Sequence, residues 1–304
     1  MKRGLVSLLL VAAVAAAAPS TKPQTFGSPE QAAEALVKAA EAFDLAGLKA
    51  VLGSDGMDLV DTGEPVQDKK QAQAFAALYR EKHRIERDPD DPSEATLILG
   101  NEDWPAPIPI VQKKGAWMFD VKEGRKEILF RRVGRNELDA IQVCRGFVEA
   151  QNEYVTEKHD GNTVAQYAQR IVASPGKQDG LAWQNADGSW GGPVGEKIAK
   201  AISQGYSSKA EPYHGYHFKV LKGQGPNAPL GTMDYVIKGA MIGGFALAAA
   251  PADYEVTGIK SFIVSQDGVV YERDFGKKTA DWFATVERFD PDSKWDPVED
   301  EDDD

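Results

Sequence analysis

Twice along this chain an apolar helical period gives way to short strand-like runs separated by turn residues, and this double switch constrains the fold most. A helix must bury one stripe and a strand one face, so each needs the other as a layer. The order predicts an α+β fold in two domains, 24–133 and 134–289. Each is expected to pack helix on an antiparallel sheet.

In the first half, Ser28-Pro29-Glu30-Gln31 is a helix start. Ser28 can cap, Pro29 suits the first turn, and Gln31 can reach back. Leu36, Val37, Ala40 and Phe43 follow on one face. Asp44 can cap a second helix carrying Leu45, Leu48, Val51 and Leu52. A third is expected from Lys69 to Lys82. After the breaker Asp88-Pro89-Asp90-Asp91-Pro92, strands are expected at Ala95–Leu99, Ile108–Lys113, Ala116–Val121 and Ile128–Arg132. Lys113-Lys114-Gly115 reads as a hairpin turn.

In the second half, Leu138, Ile141, Cys144, Phe147, Val148, Tyr154 and Val155 mark one stripe of a helix expected over Asn136–Glu157. A short helix is expected at Val194–Gln204. Strands are expected at Tyr216–Leu221, Met233–Lys238, Phe245–Ala249, Ile259–Val264 and Val269–Asp274. Asp267-Gly268 turns between the last two.

Met1-Lys2-Arg3, the apolar run Gly4–Ala17 and the small residues after it follow the order of a secretory signal peptide, 1–17. Export to the periplasm or the medium is expected. Ala240–Ala250, the one rival apolar run, is too short to span a bilayer. The formal net charge is −12, but nine carboxylates and one lysine lie in 290–304. That stretch reads as a disordered acidic tail. An acidic chain lacks the basic face that nucleic acid requires. Its single cysteine excludes an internal disulfide and a multi-cysteine zinc site.

Several runs carry a resemblance to known families. They include Trp104-Pro105-Ala106-Pro107-Ile108-Pro109, Gly134-Arg135-Asn136-Glu137-Leu138, Ser174-Pro175-Gly176-Lys177, Pro212-Tyr213-His214-Gly215-Tyr216 and Met241-Ile242-Gly243-Gly244-Phe245. From Phe26 to about Val298 the chain resembles a bacterial exported family known as domain of unknown function 2950. That resemblance implies export and carries no catalytic residues with it. The second half is also similar to the globular heads of type IV pilin-like proteins, through Asn136-Glu137, Ala140-Ile141, Gly215-Tyr216-His217-Phe218 and Thr257-Gly258. A whole domain precedes the long helix, so this likeness implies a fold and not a pilus. The first half resembles the cone-shaped sheet of the nuclear-transport-factor-2-like (NTF2-like) fold.

The segment Gly176–Gly195 holds Trp183 and Trp190 among Gly and Asp. A loop of this length is often functional. Its indoles either stack on a sugar or anchor a partner, or else tuck onto the sheet. Tyr213, His214 and Tyr216 are expected at a nearby pocket mouth. Cys144 is expected as a buried, inert thiol. His214 and His217 lie three apart in a strand, on opposite faces, so a shared metal is not expected. Glu149, Glu153 and Glu157 form an acidic helix stripe leading to Asp160. It reads as a solvated face, with a weak Ca²⁺ site at Glu153, Glu157 and Asp160 as the alternative. No cofactor is otherwise expected.

No nucleophile elbow, zinc helix or dinucleotide fingerprint is present. The expected function is therefore non-catalytic binding of an envelope protein or glycan. A cell-envelope glycan hydrolase with a carboxylate pair is the alternative.

Overall fold

The computed structural model describes residues 21–194 and 212–299. The signal peptide, nearly all of the helix expected at Val194–Gln204, and residues 300–304 lie outside the described residues. The chain is α+β, with helices and antiparallel sheets in two compact units that divide between Ile128 and Leu129.

In the first unit, α1 (Pro29–Ala42) starts where the cap places it. Ser28 Oγ accepts from Gln31 N at 3.3 Å, and Gln31 Oε1 accepts from Gly27 N at 3.1 Å. Asp44 caps α2 (Leu45–Leu52) by accepting from Ala46 N at 3.1 Å. The third helix, α3 (Pro65–Glu81), begins four residues earlier than Lys69, because Pro65 suits a first helical turn. Five antiparallel strands follow: β1 (His83–Arg87), β2 (Glu94–Leu99), β3 (Trp104–Pro105), β4 (Ile110–Lys113) and β5 (Ala116–Phe119). Lys114 (φ 56°) and Gly115 (φ 81°) make the expected tight turn between β4 and β5. The sequence reading misses β1, since its residues are mostly exposed and carry no apolar alternation. Pairing with β2 at each of its residues, from His83 opposite Leu99 to Arg87 opposite Ala95, makes it a strand. Leu48, Leu52, Leu97, Leu99, Ile110 and Phe119 form the buried centre.

The long helix is longer than its apolar stripe. Helix α4 runs over Val121–Tyr154, so the strand expected at Ile128–Arg132 is wrong. Asp120 Oδ1 accepts from Glu123 N at 3.3 Å and caps the true start. No breaker interrupts the chain from there, and Phe130, 71% exposed, is no buried strand residue. Gly124 is needed here: a Cβ would stand 2.8 Å from Ile108 Cγ1.

In the second unit, the buried stripe of α4 joins a sheet ordered β16-β15-β14-β13-β8. These strands are β8 (Tyr216–Leu221), β13 (Ala246–Pro251), β14 (Lys260–Ser265), β15 (Val270–Asp274) and β16 (Asp296–Pro297). All pairs are antiparallel. Every residue of β13 is buried, so both of its faces are covered. A short helix, α5 (Thr279–Thr285), packs against β13. The expected strand Met233–Lys238 divides at buried Tyr235. One part, β10 (Met233–Asp234), pairs with β9 (Gly223–Gln224), and the other, β11 (Val236–Ile237), pairs with β12 (Ala240–Met241).

The tail expectation also changes. Within 290–299, Trp295 is 8% exposed and stands near Phe275, Trp282 and Arg273. Val298 N donates to Val270 O at 2.8 Å. One aromatic anchor and an edge-strand pairing hold this stretch despite its charge. Among the described residues, no helix is long and apolar enough to cross a membrane.

Candidate functional site

The second unit carries a groove of about 380 Å³ along the C-terminal half of α4. Asp139, Gln142, Gly146, Glu149 and Glu153 form its α4 wall. Spacings of three and four residues place them on one stripe. Phe147, Ile171, Leu181 and Leu247 supply buried apolar surface to the groove, and Pro193, Val194, Tyr213 and His214 also border it.

The segment after α4 is tied down by polar side chains. Gln151 is fully buried and clamps Ala168 twice: Nε2 donates to Ala168 O and Oε1 accepts from Ala168 N, both at 2.8 Å. Tyr154 Oη donates to Gln178 O. Asp179 accepts from Ser174 N at 2.7 Å and from Ser174 Oγ at 2.9 Å. Ala173 N donates to Ala182 O and Ala182 N to Ile171 O, so Ile171 and Leu181 enter the groove from two strands of chain locked together. Burial of Gln151 is not legible in the local spacing, because a glutamine on a helix is usually a surface residue.

The expected loop is a small hairpin, β6 (Trp183–Gln184) with β7 (Trp190–Gly191). Asp187 Oδ1 accepts from Ser189 N and Oγ at its tip. Trp183 pairs with Gly191, and Gln184 with Trp190. Paired residues share a face, so the two indoles point to opposite faces and form no common platform. Trp183 is half-buried, 6.4 Å centroid to centroid from Tyr154 and 5.4 Å from His159. His159, itself buried, stacks on Tyr154 at 3.9 Å, and its Nε2 donates to Tyr154 O at 3.0 Å. Trp190 is half-buried as well.

Tyr213 and Tyr216 exchange backbone hydrogen bonds around a two-residue turn, with His214 at φ 47° and Gly215 at φ 76°. Both central residues are left-handed, as a type I′ turn demands. The turn sets His214 Nδ1 against the Asp139 carboxylate on α4 and holds the Tyr213 ring 4.3 Å from the imidazole. Tyr216 belongs elsewhere. It is fully buried and its hydroxyl donates to Lys260 O at 2.7 Å, so its side chain offers nothing to a partner. His217 lies on β8 and stacks near Phe283, apart from the groove.

Among the described residues, no three His, Cys, Asp or Glu side chains are gathered as a metal needs. Helix α4 ends at Tyr154, so Glu157 leaves the helical stripe. Asp160 (φ 51°) turns both carboxylate oxygens onto Gln178 N, at 2.9 Å each. Cys144 is fully buried, and burial pushes its thiol up to about 12.

A family model described as "Protein of unknown function (DUF2950)" matches residues 23–298, and the chain belongs to that family. No curated protein matches the chain. No solved structure matches it either.

Proposed function

We propose that this member of the DUF2950 family is an exported, non-catalytic binding protein of the cell envelope, with the α4 groove as its site. The observation that carries the reading is the groove itself. An apolar floor lies beside acceptors on Asp139, Gln142, Glu149 and Glu153, with Tyr213 and His214 at the border. This combination suits an extended partner with hydroxyl or amide donors and some apolar surface, as a glycan strand or an exposed polypeptide segment has. Export rests on the order of residues in 1–17. The helix laid on an antiparallel sheet supports a pilin-head-like reading of the second unit as an architecture, and helices on a sheet support an NTF2-like reading of the first.

The hydrolase alternative needs two carboxyl groups flanking a scissile bond. Among the described residues, every carboxylate lining the groove comes from α4, hence from one wall. That favours binding over hydrolysis.

Gly146 supplies the test. A Cβ there meets nothing within 4 Å, so Gly146→Phe starts its side chain in open space on the α4 wall of the groove. Retention of the intact chain on isolated envelope fractions should fall at least about tenfold at an unchanged melting temperature, a loss typical of a blocked site centre. Full retention by that variant overturns the reading.

A further inference from the structure

The first unit holds a cavity of about 260 Å³, separate from the groove and independent of the function proposed for it. Leu48, Leu52, Leu97 and Phe119, all buried, line its depth. Trp104, 40% exposed, and Phe75 also line it. The run Trp104-Pro105-Ala106-Pro107-Ile108-Pro109 contributes Trp104, Ala106, Pro107 and Ile108. It does so because β3 pairs with β2, Trp104 opposite Leu99, which turns this proline-rich run across the sheet edge.

One lining residue is ionisable. Asp68 is 4% exposed, at the start of α3. Thr62 donates to it twice, from N at 2.9 Å and from Oγ1 at 2.7 Å. Those two bonds occupy about half of the roughly four acceptor positions of a carboxylate. Among the described residues no Lys, Arg or His pairs with it. A buried carboxylate is costly without a cation or donors enough to match it. An apolar chamber with one acidic acceptor in its wall is complementary to an apolar body with a donor head.

The geometry points to a second binding site, for a small amphiphile with an ammonium head, the head on Asp68 and the apolar body against Leu48, Leu97 and Phe119. Its size follows from volume. A dry cavity of about 150 Å³ takes benzene. On that scale 260 Å³ takes about ten non-hydrogen atoms. Octylamine, with an eight-carbon chain, fits.

Calorimetry on the intact chain near neutral pH decides the matter, with octylamine, 1-octanol and octanoate as probes. Octylamine should saturate one site. 1-Octanol should bind about tenfold more weakly, since it lacks the charge-assisted bond, and octanoate more weakly still. Asp68→Asn should bring octylamine and 1-octanol to within about threefold of each other. Ala72→Phe, which fills the cavity from α3 and leaves Asp68 in place, should abolish both signals. No saturable heat with octylamine at about 1 mM overturns the proposal, as does 1-octanol binding as tightly as octylamine, or unchanged binding by Ala72→Phe. If Asp68→Asn fails to fold, the head-group series and Ala72→Phe still decide.

Discussion

The Trp183 indole lies against Gly191, its strand partner, so closely that a Cβ on Gly191 would stand 2.6 Å from Trp183 Nε1. Each residue exists in its form because of the other. Gly191→Ala should destabilise the chain by about 1–3 kcal/mol, as overpacking does. Trp183→Ala should cost about 2 kcal/mol for a half-buried aromatic side chain. The double variant should be more stable than the sum predicts, because removing the indole clears the clash. A double-mutant cycle by urea unfolding measures this, and strict additivity counts against the contact.

Tyr216 and Gly258 are a second such pair. A Cβ on Gly258 would stand 2.2 Å from Tyr216 Oη, which has no room to move in the core. Gly258→Ala should cost about 3 kcal/mol or more. Tyr216→Phe should cost about 1 kcal/mol, for the bond to Lys260 O. Since Tyr216 sits in the core, that variant should hold its envelope partner as well as the wild type.

The turn at His214 separates binding from folding. The His214–Asp139 contact is partly exposed on both sides, so His214→Ala should change stability by less than about 1 kcal/mol. It should weaken envelope retention if the groove is the site. Gly215→Ala is different: with φ at 76° and a Cβ 2.7 Å from Asn136 Nδ2, it should cost about 2 kcal/mol. Thermal melts beside retention assays distinguish the two.

Alkaline pH should unfold the chain from within. Burial pushes the Cys144 thiol from its ordinary 9.0 up to about 12. Between those values the unfolded chain loses this proton and the folded chain keeps it. Stability is therefore fully present below pH 9.0 and falls as pH rises toward about 12. The slope is about 1.4 kcal/mol per pH unit for this group. Burial raises the Tyr154, Tyr216 and Tyr235 hydroxyls in the same direction, with nearby carboxylates adding to it. Cys144→Ala should flatten the urea-midpoint profile over that range. An unchanged slope would assign the alkaline loss to the tyrosines alone.

The legible parts of the fold share one property: their cause lies within a few residues. Ser28, Gln31 and Asp44 cap the helices that follow them. Lys114-Gly115 turns between its strands, and Cys144 is buried on the stripe its spacing predicts. The misread parts depend on distant partners. The strand β1 exists because β2 accepts it, and the residues from Ile128 to Arg132 are helical because Asp120 starts α4 upstream. The register of β6 on β7 sets Trp183 and Trp190 on opposite faces, which their spacing in a loop did not reveal. Tyr216, three residues after Tyr213, went to the core because the turn leads directly into a central strand.

By itself the sequence determined the class of the fold, two helix-and-sheet units, and the family, because apolar period, caps and turn residues are local properties written in order along the chain. Only the tertiary structure decided where the concave surfaces lie. Asp68 meets Leu97 and Trp104 around one cavity, and His214 meets Asp139 beside one groove, across separations that no local pattern encodes. Binding sites are made of such long-range meetings, because a pocket is the space left where elements from different parts of the chain pack incompletely.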